Sequence, residues 1–193
     1  MTTSPIKLYF VTSNSRKFEE IEQLLGVKVH KFCVDLIEIQ GKCDDVIKHK
    51  ISEAKKLFDD KKEGEFMLLI DDTCYHIEGL GGFPGPYARD FLEIGFKKIF
   101  EIAQKIGKEV HYSTRLCLVY KNEIKIFKGT AHGEIGPPSI INNKRFYDYI
   151  TYIDGKLVSE MTIDEKNQTS PRSKACKQVM EYLKEKKLFE RIG

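Results

Sequence analysis

Two aspartates follow the most apolar stretch of this 193-residue sequence. Residues 66–70 form a continuous apolar run, which predicts a buried strand that ends at Asp71 and Asp72. Ligands of open α/β sheets gather at the carboxyl ends of strands, and carboxylate oxygens are the ligands that Mg²⁺ prefers. The pair is therefore either part of a cation site or an acidic strand terminus. If the strand continued, the two side chains would point to opposite faces and would not need to share a role.

A polar turn near the N-terminus is a second candidate for chemistry. It lies between a predicted strand and a predicted helix, where helix N–H groups and the helix dipole favour an anion. The turn consists of Thr12, Ser13, Asn14, Ser15, Arg16 and Lys17. It is neither a Walker A loop nor a G-x-G-x-x-G turn, which disfavours P-loop ATPases and dinucleotide enzymes. It either binds a phosphate or forms an N-cap cluster with a surface lysine.

Two charged residues interrupt apolar patterns in the first third of the chain. Lys50 lies three residues after Ile47 and four before Ala54, on the apolar stripe of a predicted helix. Its side chain either extends along the apolar surface to solvent or reaches a phosphate. Glu38 is an acid inside an otherwise apolar run, and it faces either solvent or a polar site.

Two segments of the C-terminal half could contact a nucleotide. Ser170 and Pro171 predict a helix start able to accept an anion, and Lys166 and Arg172 flank it. The other segment combines a guanidinium, aromatic faces and an acceptor, as a nucleobase pocket requires. It consists of Arg145, Phe146, Tyr147 and Asp148. Core packing is the alternative interpretation of the two aromatic residues.

The predicted elements that position these residues alternate as in an α/β protein. Strands are predicted over residues 6–11, 27–32 and 66–70. Helices are predicted from residue 18 to a C-cap at Gly26, from an N-cap at Asp44 to residue 58, and over residues 88–106. A period of two over residues 110–135, interrupted at 121–122, predicts an antiparallel hairpin, and a lysine-rich helix follows residue 170. We expect a single domain over residues 1–193.

Composition excludes several classes of protein. The chain has 32 Lys and Arg against 29 Asp and Glu, a net charge of +3, which does not predict a nucleic-acid partner. No apolar run approaches the roughly 20 residues of a membrane span, and the N-terminus lacks a secretory pattern. We therefore expect a cytoplasmic protein without a membrane partner. The five histidines show no metal-ligand spacing, so no chemistry is assigned to them.

Several motifs occur in the order and spacing seen in inosine triphosphate pyrophosphatases. They are TSNSRKFEE at residues 12–20, DLIEIQG at 35–41, DDTC at 71–74, GLGGFPGPY at 79–87, SEM at 159–161 and EKN at 165–167. The sequence resembles the eukaryotic branch of that family over nearly its whole length. Agreement of several motifs is more specific than any one of them.

This resemblance implies an elongated α/β fold, with a mixed central sheet flanked by helices and two lobes around a nucleotide cleft. It also implies a cytoplasmic, homodimeric enzyme that uses Mg²⁺, with Mn²⁺ as a possible substitute. That enzyme would convert ITP, dITP and XTP to the nucleoside monophosphate and pyrophosphate. A purine nucleoside triphosphate is thus the expected partner.

The resemblance also assigns residues by position. Glu38 and Asp72 would hold the metal, and Asp72, Lys50 and Glu38 would form the catalytic set, with Asp72 supporting activation of the attacking water. The residues implied to bind substrate are Thr12, Ser13, Asn14, Ser15, Arg16, Lys17, Lys50, Asp72, Thr73, Arg89, Arg145, Phe146, Tyr147, Asp148, Lys166, Pro171 and Arg172.

The sequence departs from the family pattern on the base-recognition side. Pro171 occupies a position that is usually histidine, residues 145–148 replace Phe-Gly-Trp-Asp, and residues 136–139 replace Ala-Pro-Arg-Gly. Either Arg145 stacks on the base, or the register shifts by one residue and Phe146 does. Two alternatives therefore stay open: a pyrophosphohydrolase with another base preference, and an inactive nucleotide- or RNA-binding protein.

Overall fold

The computed structural model describes residues 5–59, 64–139 and 146–193. Its strands are β1 (Lys7–Val11), β2 (Val29–Phe32), β3 (Phe66–Ile77), β4 (Pro84–Gly85), β5 (Glu109–Tyr120), β6 (Glu123–Ile135), β7 (Thr151–Ile153) and β8 (Lys156–Leu157). Its helices are α1 (Ser15–Leu25), α2 (Cys43–Asp59), α3 (Ala88–Phe91), α4 (Phe96–Ile106), α5 (Ile163–Thr169) and α6 (Pro171–Glu185).

The strands form one mixed sheet in the order β2-β1-β3-β5-β6-β7-β8, with β4 paired to β3. Strand β1 is parallel to both β2 and β3, whereas β7 pairs antiparallel with β6 and β8. This arrangement confirms the predicted α/β class with a mixed central sheet. Val11 of β1 is paired with Ile70 of β3. The polar turn therefore begins at the level of Asp71.

The prediction that the third strand ends at Ile70 is wrong, because β3 continues to Ile77. Its second half is also mostly buried, with Tyr75 and Ile77 in an apolar cluster. The predicted helix over residues 88–106 is interrupted, and Gly95, with φ of 91°, precedes the second half. Helix α2 begins at Cys43, so Asp44 lies in its first turn rather than at its N-cap. The predicted hairpin and closing helix are confirmed.

The chain divides into two compact units. The first comprises residues Met1–Asp72, Thr114–Gly129 and Arg172–Gly193. Within it, α1 and α6 pack on one side of the sheet against Met67 and Leu69, and α2 packs against Leu68 and Ile70. Because side chains of a strand alternate between faces, the next residues of β3 also diverge. Asp71 contacts residues of α1 and α6, whereas Asp72 contacts α2, as the sequence predicted for a continuing strand.

The second unit comprises Thr73–Ser113 and Thr130–Pro171. Its main core brings residues of α3 and α4 against Tyr75, Ile77 and Ile135. Gly79 is required there, since a Cβ atom at this position would lie 2.2 Å from the carbonyl oxygen of Ile106. Across the described parts of both units, we find no helix with the length and apolar character that a membrane crossing requires.

Candidate active site

The polar turn contains an N-cap. Asn14 precedes α1, and its side-chain oxygen accepts hydrogen bonds from the backbone N–H groups of Arg16 at 3.0 Å and Lys17 at 3.3 Å. The hydroxyl of Thr12 accepts from the backbone N–H of Asn14 at 3.1 Å. The N-cap interpretation of the turn is therefore confirmed, while binding of a phosphate there stays a prediction.

Two hydroxyls of the same turn make side-chain hydrogen bonds. Ser13 Oγ donates to Asp35 Oδ1 at 3.3 Å, and Ser15 Oγ accepts from Lys31 Nζ at 2.9 Å. Both contacts are exposed. They link the turn to the end of β2 and to the segment that follows it.

A buried carboxylate holds two cations on the α1 and α6 side of the sheet. Asp71 Oδ1 accepts from Lys17 Nζ at 3.0 Å, and Asp71 Oδ2 accepts from Arg172 Nη2 at 3.0 Å and Nε at 3.3 Å. Arg172 Nη1 also donates to Glu20 Oε2 at 2.6 Å. We call Lys17, Glu20, Asp71 and Arg172 the Asp71 cluster. It brings together two of the predicted phosphate ligands.

The charged groups of the Asp71 cluster stabilise one another in their ionised forms. Burial alone would raise the pKa of Asp71, but Lys17 and Arg172 outweigh burial and lower it to about 2. Burial alone would lower the pKa of Arg172, but the carboxylates of Asp71 and Glu20 raise it above its usual range. Asp71 is thus ionised at neutral pH and orients both cations.

A second cluster lies on the α2 side of the sheet. Lys50 Nζ donates to Glu38 Oε1 and to Asp72 Oδ1, each at 2.7 Å. The side chains of Lys50 and Asp72 are each 8% exposed, whereas that of Glu38 is 55% exposed. The lysine does not reach bulk solvent along the apolar surface. We call Glu38, Lys50 and Asp72 the Lys50 cluster.

Packing of α2 positions the Lys50 cluster. Ile47, Ile51 and Ala54 bury one face of the helix against the sheet, so Lys50 on that face is carried to the end of the buried run of β3. The irregular segment that carries Glu38 is tied to the same helix, because the backbone N–H of Ile37 donates to Glu53 Oε2 at 2.7 Å.

Burial and ion pairing shift the pKa values of the two buried residues of this cluster, Lys50 and Asp72. Burial alone would lower the pKa of Lys50, but the Asp72 and Glu38 carboxylates raise it above its usual range. Burial raises the pKa of Asp72, and the adjacent Asp71 adds to the rise against the opposing effect of Lys50. Asp72 is consequently a stronger base than an exposed aspartate.

The predicted nucleobase segment, residues 145–148, and the predicted nucleotide contact Lys166 belong to the second unit, and Arg145 lies outside the described residues. Lys166 Nζ donates to Asp148 Oδ2 at 2.5 Å, so these two predicted residues are brought together. Tyr147 stacks on Tyr75 with ring centroids 3.6 Å apart, and its hydroxyl donates to the carbonyl of Ala88. The Tyr147 ring thus packs in the interior of the unit, while its contact with substrate stays a prediction.

The remaining residues predicted to contact substrate differ in their exposure. Phe146 is 40% exposed and Arg89 is exposed, whereas Thr73 is half-buried. Pro171 is the first residue of α6, as its type predicts, and its ring provides no hydrogen-bond donor.

Two residues with clear contacts in the site were not assigned a role from the sequence. They are Asp71 and Glu20. The spacing of Lys17 and Glu20 places them one turn apart, which is a signal for a shared charged site. Asp71 is a buried acid, and a buried carboxylate requires a cationic partner. That requirement is a second signal for a charged site shared with α1.

Comparison with known proteins gives a consistent family match. Residues 8–182 match the model of the Ham1 family. The inosine triphosphate pyrophosphatase of Encephalitozoon intestinalis is 35% identical over 202 aligned positions, covering 100% of both chains. The dITP/XTP pyrophosphatase of Thermococcus kodakarensis is 31% identical and covers 93% of this chain and 98% of its own.

Solved structures show the same fold. The Staphylococcus aureus Ham1 protein aligns with a TM-score of 0.72 at 20% identity, over 92% of this chain and 99% of its own. A HAM1 protein from Coxiella burnetii aligns with the same TM-score at 21% identity, over 93% and 99% of the two chains.

Proposed function

Because the chain belongs to the Ham1 family, we propose that it hydrolyses ITP, dITP and XTP to the nucleoside monophosphate and pyrophosphate. The names of its relatives, inosine triphosphate pyrophosphatase and dITP/XTP pyrophosphatase, support this substrate class. The structural observation that carries the proposal is the buried Lys50, held between the carboxylates of Glu38 and Asp72. A protein that only bound nucleotides would have no need of this costly arrangement of charges.

The reaction breaks the anhydride bond between the α- and β-phosphates. The oxygen of water bonds to the α-phosphorus, and the bridging oxygen leaves with pyrophosphate. The attacking water loses a proton. We assign the proton to the carboxylate of Asp72, the role in activating the attacking water that the sequence resemblance implies for this residue. Lys50 orients this carboxylate through Oδ1 and supplies a positive charge beside the reacting phosphate.

The Lys50 cluster also offers a donor set suited to a hard divalent cation. Glu38 Oε1 and Asp72 Oδ1 both accept from Lys50 Nζ, so a metal ion would bind the other oxygen of each carboxylate. Two carboxylates completed by water are typical ligands of Mg²⁺. We propose that these two residues hold Mg²⁺, with Mn²⁺ able to substitute; when bound, the ion would supply positive charge to the phosphoryl oxygens.

The Asp71 cluster would act on the leaving pyrophosphate. A lysine ammonium has three donors and a guanidinium five, so Lys17 and Arg172 can contact phosphate oxygens while they also contact Asp71. Holding both cations in place before substrate arrives reduces the ordering that the transition state requires. The N-terminal turn of α1 would add the hydroxyls of Thr12, Ser13 and Ser15.

We further propose that the enzyme is a cytoplasmic homodimer, and that Phe146, Asp148 and Lys166 contact the base. The sequence resemblance supports both statements. Arg145 is the alternative stacking residue, and the departures at residues 145–148 and Pro171 bear directly on base choice.

A substrate panel tests the proposal. Turnover of ITP, XTP, dITP, GTP and ATP is measured with Mg²⁺, and released pyrophosphate is distinguished from orthophosphate. We expect pyrophosphate from the first three substrates and at least tenfold lower kcat/KM with GTP and ATP. Asp72→Asn should abolish turnover, while Asp45→Asn, at an exposed position in α2, should not. Efficient hydrolysis of ATP would instead indicate another base preference, and binding without turnover would indicate an inactive nucleotide- or RNA-binding protein.

A further inference from the structure

Tyr75 of β3 is a buried tyrosine that makes two separate contacts in the second unit. Its phenol oxygen lies 2.7 Å from Thr151 Oγ1, and its ring stacks on that of Tyr147 with an interplanar angle of 16°. Tyr75 is 2% exposed and Thr151 is 1% exposed. One side chain of β3 therefore contacts two residues that lie four positions apart in the chain.

These two contacts lie on either side of Asp148, which we propose contacts the base. Asp148 belongs to a turn of 3₁₀ helix, Tyr147–Tyr149, and its carboxylate accepts a hydrogen bond from Lys166 Nζ. Because Tyr75 holds the chain both before and after Asp148, the carboxylate and its lysine partner are oriented before substrate binds.

The Tyr147 ring is held at its hydroxyl as well as on one face. The hydroxyl donates to the carbonyl of Ala88 at 2.8 Å, and Tyr75 covers the face on which it stacks. A base cannot stack on that covered face. Phe146, the preceding residue, is 40% exposed. Tyr147 is thus an anchored residue between two proposed base contacts, Phe146 and Asp148.

Both phenols keep their protons in the neutral pH range. Burial raises the pKa of Tyr75 above its usual range, against the opposing effect of its hydrogen bond to Thr151. Burial raises the pKa of Tyr147 in the same way. The hydrogen bonds of the two hydroxyls are therefore retained at the pH of a hydrolysis assay.

We infer that Tyr75 is a positioning residue for base selection, which acts by holding the segment that carries Phe146 and Asp148. This inference rests on the proposed hydrolysis of ITP, dITP and XTP. A segment that is ordered before substrate arrives loses less conformational entropy on binding. Loss of Tyr75 should therefore weaken substrate binding, while the reacting atoms at the Lys50 cluster are not touched.

Selectivity should depend on the same contacts. A site discriminates between bases through polar groups in fixed positions, because the wrong base leaves some of these groups unpaired. The ion pair of Asp148 and Lys166 provides such groups, and Tyr75 fixes the turn that carries Asp148. A looser turn should therefore accept the wrong base at a smaller cost.

Steady-state kinetics with a matched control test the inference. Tyr75→Leu removes the stack and the hydroxyl, and Ile77→Ala changes the next residue on the same face of β3, in the same apolar core. Both variants should have a lower Tm. Well below both Tm values, Tyr75→Leu should raise the KM for ITP about tenfold and change kcat much less. It should also lower the ratio of kcat/KM for ITP to that for ATP by about fivefold. Ile77→Ala should keep the wild-type KM and ratio.

Removal of the two hydroxyls gives a second test. Tyr75→Phe removes the partner of the buried Thr151 hydroxyl, and Thr151→Val removes the partner of the Tyr75 phenol, so each should raise the KM for ITP roughly threefold. The double variant keeps the stack and leaves neither hydroxyl behind. Its KM should return to about the wild-type value. Additive increases in the double variant would contradict the inference.

The wild-type protein is assayed in parallel, so two kinds of failure can be told apart. Absence of pyrophosphate from ITP in the wild-type assay would overturn the proposed function. Wild-type turnover with an unchanged KM and an unchanged ratio in Tyr75→Leu would overturn only the positioning role, and Tyr75 would then be a core residue like Ile77.

Discussion

Replacement of Asp71 by asparagine tests whether one buried carboxylate positions the two cations that we propose bind phosphate. In the wild-type protein, Asp71 accepts hydrogen bonds from Lys17 and from two nitrogens of Arg172, and its side chain is only 3% exposed. The substitution keeps the size of the side chain but removes the negative charge. Lys17 and Arg172 would then repel each other without the anion that now lies between them.

The expected loss of stability follows from burial. Removing one partner of a buried ion pair typically costs about 3–5 kcal/mol. Arg172 keeps its contact with Glu20 at 2.6 Å, and the Lys17 side chain is already 30% exposed, so both cations are partly compensated. We therefore expect about 3 kcal/mol, the lower end of that range. For a chain of this length, such a loss lowers the Tm by roughly 6–12 °C.

Steady-state kinetics separate positioning from stability. Assayed well below the Tm, Asp71→Asn should raise the KM for ITP about tenfold, because a hydrogen bond to a charged group contributes about 1.5–3 kcal/mol and its orientation is lost. The kcat should change less than the KM, since Asp71 does not touch the reacting atoms. Asp45→Asn should leave both constants unchanged. A lower Tm with an unchanged KM would refute the positioning role, and an unchanged Tm would refute the energetic reasoning.

Three further predictions concern other parts of the molecule. Lys50→Met should reduce kcat more than a hundredfold in the pyrophosphate-release assay, whereas Lys56→Met on the exposed side of the same helix should not. The pKa of Glu165 is lowered to about 2 by its lysine partner and by the capping box of α5. Its stabilising contribution should therefore be complete above pH of about 4.3 and lost as the pH falls toward 2, and Glu165→Gln should flatten the Tm profile in that window. Iodoacetamide should label exposed Cys33 in the folded protein and leave Cys176 unmodified, since burial raises its pKa to about 12; peptide mapping checks this, and labelling of Cys176 at the rate of Cys33 would contradict it.

Much of the first unit could be predicted because its helices, caps and strands are indicated by residues close together in sequence. The apolar stripe of α1, the C-cap at Gly26 with φ of 61° and the alternating strands of the hairpin each depend on residues close in sequence. The end of β3 could not be predicted in this way. A pair of aspartates normally terminates a buried strand, and here the strand continues because each carboxylate finds a cation from a distant helix.

The candidate site shows the same division. The types of residue at Glu38, Lys50 and Asp72 could be read from the sequence, and Glu38 and Asp72 also lie in family motifs. That Lys50 bridges the two acids could not, because Glu38 and Lys50 are 12 residues apart and Asp72 is 22 residues further along the chain. Their contact depends on how α2 packs against the sheet.

By itself, the sequence determined the fold class, the family and the residue types that phosphate chemistry requires, since all three reside in local periodicity and motif spacing. Only the tertiary structure decided which charges meet. It paired Asp71 with Lys17 and Arg172, and it stacked the ring of His76 on that of His111. The physical reason is that charge pairing and ring stacking act over a few ångströms in space, whatever the distance along the chain, and the strand order of the sheet determines which residues come that close.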